Sequence, residues 1–179
     1  SFELVSSHSN LASTEQSMAP LINQHGLVIS DPWQWINTDD IGEAFNADAK
    51  SLVLPMPLWF EHGQRLREKG YSVSVWLGPA DEPEELASAL ESLPIIAVQF
   101  ATFTDGRGYS QGRILRERMG YRGDLRAIGD ILRDQIYLLH KCGFSSFALR
   151  SDQSPEEAVA ALKDFSWVPL VGRQTGNQE

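Results

Sequence analysis

The sequence predicts an α/β fold built from repeated βα units with a mainly parallel sheet, arranged as a partial (β/α) barrel with an N-terminal β-hairpin. Three observations predict it. Short apolar runs recur near residues 51–58, 72–77, 95–100, 125–128 and 146–149. Segments with helical spacing or helix-start signals separate them. The runs are continuously apolar, as strands are when both faces of a sheet are covered. Such alternation implies parallel strands with right-handed crossovers. A doubly wound open sheet is the alternative. The barrel is preferred because the units are short and uniform, with no sign of a long crossover to a far sheet edge.

Residues 1–18 are polar and Ser-rich, and are expected to form a flexible arm. Residues 19–170 then make a single α/β domain, and residues 171–179 a disordered tail. Leu21-Ile22 and Leu27-Val28-Ile29 flank Asn23-Gln24-His25-Gly26, which reads as a hairpin. Trp33 and Trp35 are packing residues on one edge of the core. Residues 38–49 read as a connector. The prolines of Leu52-Val53-Leu54-Pro55-Met56-Pro57-Leu58 place this strand at a sheet edge or end it early. A helix is expected from Phe60 to Lys69, stopped by Gly70. Ser72 to Leu77 is a strand. Pro83 opens a helix to about Leu90, with acids in its first turn. Ile95 to Phe100 is a central strand, followed by a helix from Tyr109 to Met119 and a strand from Leu125 to Ile128. Asp130 is expected to cap a helix reaching Cys142, with Gly143 just beyond its end. Ser146 to Leu149 is a strand, and Ser154-Pro155 opens a last helix to about Phe165.

Apolar residues make up 42% of the 179-residue chain, enough for a sizeable core. The net charge of −9 argues against nucleic acid or an anionic membrane as the main partner. The charge is uneven, however. Residues 103–150 hold nine of the fifteen Lys and Arg but only five of the twenty-four acids. A basic segment in an acidic protein suits a small anion or an acidic partner; ion-paired, solvated helix faces are the plainer reading. Cys142 is the only cysteine, so no internal disulfide or thiolate-held cluster is expected. With no signal-peptide pattern and no apolar run of about 20 residues, the expected location is the cytoplasm.

In either architecture ligands bind beyond the carboxyl ends of the strands. The richest segment there is Thr104-Asp105-Gly106-Arg107-Gly108-Tyr109-Ser110. Two glycines free the backbone to turn, the following helix presents free N–H groups, and Arg107, Arg113 and Arg116 add cationic donors. Together they are candidates for holding phosphate, sulfate or a carboxylate. The alternative is a tight turn in which Asp105 and Ser110 cap the helix. Arg126 lies inside a buried strand and must be paired or line a cavity. Asp105, Asp130 and Asp134 are its candidate partners, either orienting a ligand or forming a structural ion pair. These four are the candidates for any catalysis. There is no GxGxxG opening a βαβ unit, no GxxxxGK[ST], no HExxH and no GxSxG. The four histidines lack metal-ligand spacing, so no dinucleotide, metal or iron–sulfur cofactor is indicated. Cys142 reads as a small buried residue.

The residues Asp105-Gly106-Arg107-Gly108-Tyr109-Ser110, Leu115-Arg116-Glu117-Arg118, Gly120-Tyr121, Gly123, Leu125-Arg126-Ala127, Gly129-Asp130, Asp134-Gln135 and Cys142-Gly143-Phe144, with the turn-then-Trp stretch from Gly26 to Trp33, carry a resemblance. The chain resembles a bacterial family catalogued as domain of unknown function 934, over about Leu21 to Phe165. Gly112 and Ser145-Ser146 depart from the pattern, where Ala and a more acidic pair are expected. Members are often labelled oxidoreductases of sulfite reduction because they are encoded beside sulfite reductase and the reductase of activated sulfate. The resemblance implies an accessory protein of assimilatory sulfate and sulfite reduction; with the glycines and arginines of the Asp105–Arg116 loop and helix, the expected ligand is a small oxyanion or phosphorylated molecule. Two alternatives stand beside it. One is a non-catalytic partner of those reductases, using the arginine helix as a docking surface. The other is an oxidoreductase with a borrowed cofactor.

Overall fold

In the computed structural model, residues 20–28, 30–37, 42, 48–102 and 104–163 are described. The expected hairpin pairs as β1 (Leu21–Asn23) and β2 (Gly26–Leu27). Six further strands follow: β3 (Trp33–Trp35), β4 (Ser51–Pro55), β5 (Ser72–Leu77), β6 (Ile95–Phe100), β7 (Asp124–Gly129) and β8 (Ser146–Ala148). These six are parallel and lie side by side in chain order, giving the sheet order β2-β1-β8-β7-β6-β5-β4-β3. A doubly wound sheet would reverse direction part-way, so the sequential order decides for the half-barrel. The hairpin adds antiparallel to β8.

Chain connectivity requires the curl. β2 and β3 are the two outermost strands, yet only residues 28–32 join them. Six backbone steps reach at most about 22 Å. Seven flat inter-strand intervals would span about 34 Å. The sheet must therefore bend until its edges approach. Asp31 of this connector bonds Arg126 of β7, which stands between the two edges. The connector thus crosses the concave face like a strap. Val28, its first residue, and Trp35, in the strand beyond it, pack on the small cluster Leu21, Ala97, Ile128 and Ala148.

The opposite face carries the main core. Leu54, Val75, Val98, Phe100, Leu125 and Phe147 alternate with concave-face residues and are buried beneath the helices. Each such side chain contributes about 1.5–3 kcal/mol of burial free energy. The helices are α1 (Met56–Glu68), α2 (Arg107–Arg113), α3 (Ile136–Lys141) and α4 (Pro155–Leu162). Ser154 Oγ caps α4 by accepting from Glu157 N–H.

Several elements differ from expectation. α1 starts at Met56, and Pro57 sits in its first turn, where a missing N–H costs nothing. Trp33 and Trp35 form an edge strand of their own. Residues 83–92 make two short 3₁₀ turns, Pro83–Leu86 and Leu90–Ser92, in place of a helix. Beyond Arg113 the helix widens into a π-turn over Ile114–Arg118, and Met119 N–H reaches back to Ile114 O. Asp130 is not the N-cap residue; Leu132 holds that position. The chain enters α3 through a 3₁₀ turn, where Gln135 Oε1 accepts from Leu132 N–H. The expected arm, most of the connector 38–49 and the C-terminal tail lie outside the described residues.

Candidate functional site

At the start of α2 the Asp105 carboxylate accepts from the Arg107 backbone N–H at 3.0 Å and from its guanidinium at 3.1 and 3.0 Å. These bonds, the guanidinium's first, hold the Asp105 carboxyl below its ordinary value. The position expected for an external anion is therefore taken by the chain's own carboxylate. The glycines serve another purpose than the expected sharp turn, since neither has positive φ. A Cβ on Gly108 would sit 2.5 Å from the Phe100 ring, whereas Gly106 faces open space. Tyr109 OH accepts from Gln135 Nε2, tying α2 to the α3 turn, and Ser110 is exposed.

The rest of the strand-end rim is also internally paired. Arg150 bonds Asp130 at 3.2 Å and Asp152 at 2.7 and 2.8 Å. Asp134 is 87% exposed and only 3.8 Å from Arg133. The loops directly following β5 to β8 carry Asp81, Glu82, Asp105, Asp130 and Asp152 against Arg150, with Arg107 opening α2. Carboxylates outnumber guanidiniums there, the wrong balance for holding an oxyanion. Gln111, which the sequence reading passed over, donates Nε2 to the carbonyls of Gly78 and Asp81. Its buried Oε1 has no partner among the described residues. Among the described residues, no group of three or more His, Cys, Asp or Glu is placed to hold a metal.

The arginines do not converge. Arg126 pairs with none of the three expected acids. It donates to Ser146 Oγ at 3.0 Å, Asp31 at 3.1 Å and Asp124 at 3.3 Å. Trp76, Ala97, Arg126 and Ser146 are register partners in one row of the concave face. The acid it meets on β7 is that strand's first residue, at the end of the sheet opposite Asp105. Arg116 is not a surface ligand either. It is 7% exposed and donates to the carbonyls of Tyr121 at 2.6 Å, Gly143 at 2.8 Å and Gly123 at 3.0 Å. Gly143 permits this closeness, because a Cβ there would meet the Arg116 stem at 2.6 Å. Arg113 is exposed and its Nε lies 3.4 Å from Cys142 Sγ, a contact that raises the guanidinium's pKa. Cys142 itself is buried, as expected.

Ser145 and Ser146 connect the two buried arginines. Ser145 Oγ accepts from Arg116 and, like Ser146 Oγ, bonds Asp124 Oδ1 at 2.8 Å, while Asp124 Oδ2 holds Arg126. A continuous polar chain therefore runs from Arg116 through Ser145 and Asp124 to Arg126 and Asp31, binding the helix layer, the sheet and the strap. Gly112, the other departure, is required by Phe144, whose ring a Cβ would overlap.

A surface groove lies at the amino end of β6. Its volume is about 860 Å³, and its walls are the 3₁₀ turn at Leu90 with Pro94 on one side and Met119–Gly123 on the other. Tyr121 OH donates to Leu93 O at 2.7 Å across its floor. Burial, then the nearby Asp124 charge, pushes that hydroxyl's pKa well above the ordinary tyrosine value.

The model of one family, bacterial protein of unknown function (DUF934), matches residues 74–168, just over half of the 179-residue chain. The chain belongs to the DUF934 family. No curated protein matches it. The DUF934 match begins inside β5, so both outer regions of the sheet, the hairpin with the strap and β3–β4, precede it. The polar chain accordingly joins Arg116, Ser145, Asp124 and Arg126 of the matched segment to Asp31 outside it. Among the described residues no helix is long and apolar enough to cross a membrane.

Proposed function

We propose that this chain is a non-catalytic partner of the enzymes of assimilatory sulfate and sulfite reduction. It docks an acidic protein on the arginines at the end of α2 and its π-turn. One observation supports this reading above the others. Arg118 and Arg122 are exposed and have no hydrogen-bond or ion-pair partner among the described residues, whereas Arg107, Arg126, Arg133 and Arg150 are each held by the chain's own carboxylates. Arg113, the last residue of α2, contacts the Cys142 thiol and is exposed. Guanidiniums splayed over a surface match carboxylates on a partner and accelerate encounter more than they supply affinity.

The partners in this reading are sulfite reductase and activated-sulfate reductase. Interferometry with each purified reductase tests it. The expected result is binding that weakens as salt rises and is lost on joint Arg118→Glu and Arg122→Glu substitution. Binding by neither reductase, or equal binding by the charge-reversed variant, rules the reading out. A small-oxyanion site at the strand ends has one supporting observation, the 66% exposed Arg107 side chain at the start of α2. A rise in melting temperature with sulfite, sulfate or phosphate that Arg107→Ala abolishes would favour it.

A further inference from the structure

We infer that the groove between Leu90–Pro94 and Met119–Gly123 seats one apolar side chain of the acidic partner. This rests on the docking reading and specifies which segment of the partner is recognised. The groove is an open surface feature, because Ala87, Glu91, Pro94, Gly120 and Arg122 along it are exposed. Its floor is preformed. Leu93 and Tyr121 are both 3% exposed, and the Tyr121 hydroxyl is fixed on the Leu93 carbonyl. Leu90 and Met119 are only half-buried, so apolar surface remains uncovered between a rigid floor and open solvent. About 860 Å³ lies within the range of clefts that hold small ligands, room for an anchor side chain together with the residues flanking it.

Charge decides the occupant. One wall bears Arg122, with Arg118 next to Met119, and neither has a partner among the described residues. The groove is thus continuous with the proposed docking face. The other wall carries Glu91, which repels carboxylates. The fitting segment therefore has an aromatic or aliphatic side chain with its acids on one side only, toward Arg118 and Arg122. An evenly acidic segment is disfavoured.

The test uses the full chain and three labelled synthetic peptides: one Phe with Asp and Glu on one side and neutral residues on the other, the same peptide with the Phe changed to Ala, and one with acids on both sides. Fluorescence anisotropy should rank the first tightest. Losing the Phe should weaken binding at least about 10-fold, as for removal of a buried aromatic anchor. Ala87→Trp, at an exposed position on the groove, should weaken the first peptide similarly while leaving the melting temperature unchanged. Glu91→Gln should restore the two-sided peptide. Equal binding of the Phe and Ala peptides, no binding of either, or indifference to Ala87→Trp overturns the inference. The outcomes are separable. Reductase binding that is lost with the two arginines but insensitive to Ala87→Trp leaves docking intact and removes the groove. Peptide binding without reductase binding does the reverse.

Discussion

Replacing Arg116 by Met removes a guanidinium from the core while keeping a long apolar stem. The residue is 7% exposed and its donors reach Tyr121 O at 2.6 Å, Gly143 O at 2.8 Å, Gly123 O at 3.0 Å and Ser145 Oγ at 3.4 Å. Hydrogen bonds from a charged donor contribute about 1.5–3 kcal/mol each, but bonds sharing one group do not add. Relief from burying the cation offsets part of the loss. Tyr121 and Gly143 are buried, so their carbonyls cannot turn to water and cost about 1–3 kcal/mol each when unpaired. The half-buried Gly123 carbonyl can be partly rehydrated. The expected net loss is about 3–4 kcal/mol, a large share of a typical total stability of about 5–15 kcal/mol. Urea unfolding measures it as a lower midpoint at unchanged slope. Arg118→Met, two positions on and exposed, is the matched control and should stay within about 0.5 kcal/mol of the parent. The two should exchange roles in the docking assay, where Arg118→Met weakens binding without changing stability. An Arg116→Met loss below about 1 kcal/mol, or one equal to that of Arg118→Met, would refute the buried-donor reasoning.

Gly129→Ala should cost about 2–4 kcal/mol, because φ is +100° and the added Cβ would strike the Phe100 carbonyl oxygen on the neighbouring strand; thermal unfolding checks it. Tyr121→Phe should lose about 1 kcal/mol with the bond to Leu93 O. Its ultraviolet titration should superimpose on the parent's up to about pH 11, since a buried Tyr121 does not ionise in that range. The Arg150 guanidinium holds the Asp152 carboxyl down to about 2. The stabilisation is present above the unfolded value of about 3.9 and is lost as pH falls toward 2. Carboxyl NMR should show Asp152 titrating near 2 in the parent and near the ordinary value after Arg150→Ala.

The parallel α/β character, most of the strands and the burial of Cys142 were legible in the sequence, because apolar runs and helix-start signals are local and survive without tertiary context. The buried place of Arg116 was also readable. Gly108, Gln111, Gly112, Leu115 and Arg116 recur at three- and four-residue spacing and form the inward face of α2 and its π-turn. Charge alone instead makes Arg116 a candidate donor to an anion. The partner of Arg126 was not readable: Asp31 is 95 residues away and meets it only because the sheet curls and the strap crosses its concave face. The groove arises in the same way, from two stretches, Leu90–Pro94 and Met119–Gly123, that the pairing of β6 with β7 brings together. Local pattern therefore determined which residues form strands and which stretch gathers positive charge. Only the closed geometry decided which of those charges are spent inside the molecule and which still face outward, because an ion pair depends on distance in space and sequence spacing does not encode it.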